Sequence, residues 1–493
     1  MRIRSLFYAL CLSLLFSGAS FGAEGEADKA FIEAVRNMDA NGIVSALKQG
    51  ADIDARDKSQ NTALLITTAK RLFQRYEVNN LFNITKFLLD SGADVNAKNN
   101  EGYSALMYAS VNGHIDIVKL LIRKGADVSA RDSEGLSVLM LAVNSKKVDV
   151  AKLLIKKGAD VNVTHYRYGS ALSMAAHKSD MSTAKLLVDK RVDLNVSDEG
   201  GLTPLMVLAQ SEHADMIKRL IDEGAEVNAK DRNGKTALMH SLTIYRIYPE
   251  SINTLLGNGA DVNLQDDNGV TALMVALEKG RIDMAKQLID KGADANIVDK
   301  DGRSALMMAI ELGHKNLVKH AIALNVDLKL KSQEGWDVLM IAIKNNDTQL
   351  ATLLIDQGAD INAKDNKGMS VLMIACEEGS FEVVKRLLAK GVDVAVRNNA
   401  GNTALMIASE VGQKNIVNLL VDHKRSDVNT QNHVGHTALM KASRAGNMEI
   451  VKLLVKKGAN TRLRDEDGLT AAMAANSQNN HDIVNYLQNL NGR

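Results

Sequence analysis

Methionine recurs in this chain with a regularity that invites a chemical reading. It stands at Met107, Met140, Met206, Met239, Met274, Met307, Met340, Met373, Met406, Met440 and Met473, eleven of the 20 methionines present. A thioether is oxidised to a polar sulfoxide, so such a series could form an oxidant-sensitive spine. Its period follows the inner side of a recurring helix, however, and core packing accounts for it more simply. His423, His433 and His436 approach one another in sequence as metal ligands do. No cysteine joins them, no His-Glu-x-x-His occurs, and a turn location favours solvation over a closed tetrahedral site. Gly234-Lys235-Thr236 ends like a phosphate loop, but Ala229 stands where the first glycine is required. Asp299-Lys300-Asp301-Gly302 and Asp465-Glu466-Asp467-Gly468 match the middle of a calcium loop, with Ile297 and Leu463 in place of its first ligand. Cys376 occupies a position held elsewhere by Ser110 or Ser443 and reads as a small core filler before a nucleophile. There is no Gly-x-Ser-x-Gly elbow and no Gly-x-Gly-x-x-Gly turn. No catalytic, metal or cofactor-binding residues are therefore expected, and no enzyme.

Composition narrows the classes further. Of 493 residues, 46% are apolar and 24% charged, with 35 Gly and only 2 Pro, which describes a folded, helix-leaning chain. Lys plus Arg is 60 against 59 for Asp plus Glu, so no global basic field attracts nucleic acid or anionic membrane. At the start, Arg2 and Arg4 precede an apolar run from Leu6 to Phe16 and a small-residue stretch, Ser17-Gly18-Ala19-Ser20-Phe21-Gly22-Ala23. This pattern is that of a secretory signal covering residues 1–22, with cleavage after Gly22 preferred and Ala19 the alternative. The run is too short for a bilayer that needs about 20 apolar residues, and no later segment supplies them. Loss of residues 1–22 would leave Cys376 as the single thiol, so no intramolecular disulfide is available.

The elements that carry these residues obey one ruler. Leucine or its substitute falls at Phe31, Leu64, Leu106, Leu139, Leu172, Leu205, Leu238, Leu273, Leu306, Leu339, Leu372, Leu405, Leu439 and Ala472. Ten of the thirteen steps are 33 residues, and the exceptions are 42, 35 and 34. The phrase Gly125-Ala126-Asp127-Val128 returns nineteen residues after most of these anchors. Within one unit, Ser104 suits an N-cap, Ala105 to Asn112 a short helix, and Gly113 a left-handed stop. Asp116 opens a second helix, apolar on more than one side, which Gly125 ends; Val128 to Gly135 then reads as an extended turn. Helices this short are marginal alone, so the units must stack on one another.

Helix pairs at this period, joined by Gly-Ala-Asp-Val-Asn-Ala-x-Asp-x-x-Gly turns, resemble ankyrin repeats over residues 24–493. The resemblance implies an all-α fold with short β-hairpin turns, a solenoid of about 14 helix-turn-helix units. A single array over 23–493 is expected, with units starting near 24, 57, 99, 132, 165, 198, 231, 266, 299, 332, 365, 398, 432 and 465. The family's Thr-Pro-Leu-His survives only as Thr203-Pro204-Leu205, with Met usually replacing His. That departure touches a side-chain bond between turn and helix, not the fold. The first unit, with its acidic lead, and the last, with Ala475-Asn476-Ser477-Gln478-Asn479-Asn480, suit solvent-facing end plates.

Partner recognition is the function these features favour. The residue after each tip glycine has no fixed role in folding, yet it reads Tyr103, Leu136, Leu202, Val270, Arg303, Trp336, Met369 and His436. Aromatic and Arg anchors on an exposed rim are what interfaces use. One unit departs most, with His165-Tyr166-Arg167-Tyr168-Gly169 in place of Asp-x-x-Gly. Tyr103, Leu136, Tyr166, Arg167, Tyr168 and Leu202 are therefore expected to form one protein-binding strip, with Trp336 a second anchor and Met369 beside it. Insertions around Arg71–Leu72–Phe73–Gln74–Arg75–Tyr76–Glu77–Val78 and Tyr245–Arg246–Ile247–Tyr248–Pro249 read equally as binding loops or helix extensions. The expectation is an exported, monomeric scaffold for a protein partner, without cofactor, nucleic acid or membrane span. The resemblance to exported bacterial members implies the periplasm, with a secreted effector acting on a host or competitor protein as the alternative. A redox- or metal-linked enzyme, or an accessory to one, is the alternative of a different class.

Overall fold

A computed structural model describes residues 24–70, 75–323 and 326–491 of the chain. The signal-like segment 1–22 and residues 71–74 of the first insertion lie outside them. Among the described residues the ruler resolves into paired antiparallel helices, seven anchored repeats up to Ala260 and seven from Asp261 onward, in two compact units. In the first unit, helix Ala105–Asn112 packs on Ala63–Ala69, on Val138–Asn144 and on its own partner Ile115–Arg123. In the second, Ala404–Val411 packs likewise between Val371–Glu377 and Ala438–Arg444. Among the described residues one of these turns forms a two-stranded ladder, Thr164–His165 with Gly169–Ser170, and six others keep a single bridge, as between Lys98 and Ser104.

Local chemistry explains each boundary. The hydroxyl of Ser104 accepts the Met107 amide at 3.4 Å, and the Met107 sulfur accepts the Ser104 amide at the same distance. Ser370 and Met373 repeat the arrangement. In these two repeats methionine thus closes a reciprocal cap of the kind usually completed by Glu or Gln. Gly113, at φ +78°, ends the helix as anticipated. The second helix starts at Ile115, one residue before the expected Asp116; the chain turns out of left-handed Gly113 immediately, and Asp116 falls in the first turn, where it complements the helix dipole. The spine methionines from Met107 to Met440 are at most 3% exposed.

Two ladders of polar bonds join consecutive repeats. Asn96 donates to the Gly125 carbonyl at 3.2 Å and accepts the Asp127 amide at 2.9 Å. Asn263 does the same to Gly292 and Asp294, and Asn429 to Gly458 and Asn460. A second ladder uses the residue just before the base of a hairpin, where Asp57, Asn99 and Ser332 stand. Arg56 donates to the Lys98 carbonyl, Lys98 to the Arg131 carbonyl, and Lys331 to the Lys364 carbonyl, at 2.8, 2.8 and 2.7 Å. These cations are occupied in holding neighbouring turns together.

The insertions take different forms. The first lengthens a second helix, Arg75–Asp90, to 16 residues where Ile115–Arg123 has nine. The second forms a short connection between Ala237–Thr243 and Pro249–Gly257, with Tyr245 98% exposed and the Arg246 guanidinium 5.5 Å from the centre of the Tyr248 ring.

Tip glycines carry a double constraint. Gly102 has φ +76°, and a Cβ there would come within 2.5 Å of the Ser133 amide nitrogen in the next repeat, whose N–H bonds to the Glu101 carbonyl. Gly125 has φ +91° but nothing within 4 Å of such an atom. Gly125→Ala is expected to cost about 1–2 kcal/mol through left-handed strain alone. Gly102→Ala is expected to cost roughly 3 kcal/mol or more, because backbone must also move. Urea midpoints of the two variants compare them directly; equal losses would show that the tip-to-turn contact contributes nothing.

Candidate protein-binding surface

Every hairpin is closed by the residue at its base. Asp132 accepts the amides of Glu134 and Leu136 at 3.1 and 2.8 Å, and Asp365 accepts those of Lys367 and Met369 at 2.9 and 2.8 Å. Drawing the amide after the tip glycine back to this carboxylate turns the attached side chain inward. Leu136 is accordingly buried, and Tyr103, Tyr168, Leu202, Trp336 and Met369 are half-buried. This revises the expectation of a freely exposed rim: of the anticipated residues, Tyr166 and Arg167 stand exposed, Tyr166 at 73%. Successive tips are nevertheless bonded side by side, Ser133 to the Glu101 carbonyl and Glu199 to that of Arg167.

The exposed pair sits on an altered turn. His165 replaces the basal aspartate, and its Nδ1 accepts the Arg167 amide at 3.1 Å. The proton is thereby placed on Nε2, which is buried and has no partner among the described residues. Tyr166 and Tyr168 cover the imidazole at ring-centre distances of 4.7 and 5.1 Å, and the Arg167 guanidinium lies 6.0 Å from the Tyr168 ring centre and 3.9 Å from Glu199. Tyr103 is paired instead with Tyr108, 5.0 Å between ring centres, and Asn99 donates to the Tyr108 hydroxyl at 3.0 Å. Burial first, and nearby acids second, push both phenols above the ordinary tyrosine value.

Between these tips lie the outward positions of the first helices, which the sequence reading passed over. In the six repeats anchored from Leu64 to Leu238 those that reach solvent are Ile66, Tyr108 and His240, with Ala69, Val111, Asn144, His177, Gln210 and Thr243 one turn later, whereas Leu141, Met174 and Val207 are buried; the first repeat exposes Glu33 and Arg36 instead. From Ile66 to Thr243 none is Asp, Glu, Lys or Arg, and the two histidines, His177 and His240, are held by Asp198 and Asp231 at 3.1 and 2.9 Å. From Asp261 onward the later position reads Glu278, Glu311, Lys344, Glu377, Glu410 and Arg444, with Ser477 in the last repeat. Comparing units position by position, without weighting toward the tips, would have revealed this contrast in the sequence.

Other candidates resolve into structural parts. His423 Nδ1 faces the Arg425 amide, His433 lies against Gly401, and His436 pairs with Asp465 at 3.3 Å. Among the described residues no three metal-ligating side chains converge. Cys376 is completely buried, and that burial pushes its thiol far above the ordinary value, leaving it protonated. Lys235 and Thr236 belong to a hairpin bond and an N-cap. Arg303 binds Asp299 at 2.9 Å and Asp301 at 3.4 Å. No described helix is long and apolar enough to cross a membrane.

The Trp336 turn is the other departure. Ser332 replaces the basal aspartate and accepts the Trp336 amide at 3.3 Å. Asp337 replaces the Ser or Thr cap, accepting the Met340 amide at 2.9 Å through Oδ1 while its buried Oδ2 has no partner among the described residues. Burial pushes this carboxyl up to about 6, against the pull of the Met340 and Leu339 amides.

A family model described as ankyrin repeats (3 copies) matches residues 10–132, 72–165, 172–247, 243–332, 313–398, 339–432 and 405–492. No curated protein matches the chain.

The Asp337 carboxyl makes a pH prediction. It is held near 6 in the fold against 3.8 when free, so the folded state binds the proton more tightly. Its contribution is fully present below pH 4 and is lost as pH rises through 6, a cost of about 3 kcal/mol at neutral pH. Asp337→Ser, which restores the hydroxyl cap, is expected to raise stability at pH 7.5 by a large part of that amount and to do little at pH 4. Denaturant midpoints at the two pH values check it; an equal effect at both would contradict the assignment.

Proposed function

The chain belongs to the ankyrin-repeat family, whose members are generally non-enzymatic interaction scaffolds, and from that premise we propose that it is an exported scaffold holding a protein partner on residues 24–260. One observation carries the reading. The outward positions of the first helices there are free of Asp, Glu, Lys and Arg from Ile66 to Thr243, and the Tyr166–Arg167 tip stands exposed beside them. A face without fixed charges is cheap to dehydrate, whereas an exposed aromatic and Arg pair supplies the kind of anchor that dominates interface energetics. Second helices such as Ile115–Arg123 and Val148–Lys156 carry the lysines and arginines instead. The half-buried residues Tyr103, Tyr168 and Leu202 border this surface, and Leu136 supports it from beneath. Trp336 and Met369 form a separate anchor.

Export rests on the sequence of residues 1–22, and the reading places the mature protein in the periplasm, without catalysis or cofactor. Two measurements test the proposal. Terminal analysis of the purified native protein is expected to find Ala23 first; retention of Met1 would remove export. Crosslinking in the native compartment, followed by identification of the attached protein, is expected to yield a partner whose capture falls at least tenfold in Tyr166→Ala, about 1.4 kcal/mol or more. Capture unchanged in Tyr166→Ala would remove this anchor.

A further inference from the structure

The first and last repeats are finished differently. Helix Glu24–Arg36 turns Glu26, Lys29, Glu33 and Arg36 to solvent, and that repeat exposes no large apolar side chain among the described residues. The last repeat, helices Ala471–Asn476 and His481–Asn491, leaves Leu469, Met473 and Leu490 exposed at 38, 47 and 39%. Met473 is the spine position, buried to within 3% from Met107 to Met440. Ala472 stands where the ruler has leucine, and beside it a shallow cavity of about 560 Å³ is lined by Leu469, Ala472, Met473, Asn476, Val484 and Gln488. This revises the expectation of a plain solvent-facing plate, for which an exposed Met and two Leu are ill suited.

Charge indicates what covers it. Over the 24 residues from Gly468 to Asn491, Asp482 is the one Asp, Glu, Lys or Arg, whereas these types make up 24% of the chain. The polar groups are amides instead, with Asn476, Asn485, Gln488 and Asn489 exposed. A charged plate set against its own copy across a twofold axis brings like charges together, which is costly. An amide carries both donor and acceptor and can pair with an identical amide. A plate of amides around exposed Leu and Met is therefore complementary to itself. The charged outer side of Glu24–Arg36 offers no such match, which disfavours head-to-tail stacking.

We propose that the last repeat is a docking surface for a second copy of this chain, forming a twofold dimer in which Met473 and Leu469 of each copy fill the cavity beside Ala472 of the other. The monomer expected from sequence then becomes the dissociated form. The inference does not rest on the partner reading above and fails independently of it.

Sedimentation of the full chain over about 1 to 100 µM tests it, in the concentration range where moderate affinities are resolved. The expected result is a mass that doubles with concentration and does not grow beyond two copies. Met473→Glu is expected to leave a monomer. Gln488→Lys, at an exposed site that cannot disturb the core, is expected to weaken association at least tenfold, with partial recovery in high salt as the repulsion is screened. Circular dichroism melts confirm that both variants fold, and Gln488→Lys decides the question if Met473→Glu does not. A single mass at all concentrations, a dimer unaffected by Gln488→Lys, or open-ended polymers would each overturn the proposal.

Discussion

No repeat in this protein can cover its own first helix, and the rest of the structure follows from that shortage of apolar cover. Ala105–Asn112 is finished only when Ala63–Ala69 lies on one side and Val138–Asn144 on the other. The polar backbone has the same dependence. The Gly125 carbonyl and Asp127 amide belong to one repeat and are satisfied by Asn96 of the previous one. Nearest-neighbour contact therefore supplies hydrophobic burial and hydrogen-bond satisfaction together, which keeps the period so strict.

Strict periodicity makes departures informative. His165 and Ser332 stand where other turns have a basal Asp or Asn, and Asp337 where others have a hydroxyl. Two of these leave a buried polar atom without a partner among the described residues, His165 Nε2 and Asp337 Oδ2, an unfavourable state in a low-dielectric interior. Both lie in turns that carry large aromatics, Tyr166 with Tyr168 in one and Trp336 in the other. The structure tolerates the cost because each turn is still tied to its neighbours, as Glu199 is to Arg167 and Gln333 to Asp301. Local irregularity of this kind varies the surface without altering the stack.

The same logic separates the two compact units. Their buried positions are nearly interchangeable, with Leu, Met and Ala recurring in both. Their exposed first-helix positions are not, being free of Asp, Glu, Lys and Arg from Ile66 to Thr243 and rich in Glu from Glu278 to Glu410. Folding constrains the first set and leaves the second free, so differences among outward residues reflect what the surface meets. The spine methionines belong to the constrained set, where sulfur both packs and, at Met107 and Met373, accepts an N-cap amide.

By itself the sequence determined the period, the helix pairs, the hydroxyl caps, the left-handed glycines and the burial of the methionines, because each depends on residues a few positions apart. Tertiary structure decided the rest. The tip residues Leu136, Leu202 and Met369 turn inward because the basal Asp draws their amides back. Arg56, Lys98 and Lys331 are spent on carbonyls one repeat away, and Asp337 loses contact with water only when the neighbouring repeats close over it. The cation bonds and the burial of Asp337 depend on groups some 30 residues or more distant being brought together, and the tips turn inward by a four-residue bond, Leu136 to Asp132, whose effect on exposure shows only once the hairpin is packed.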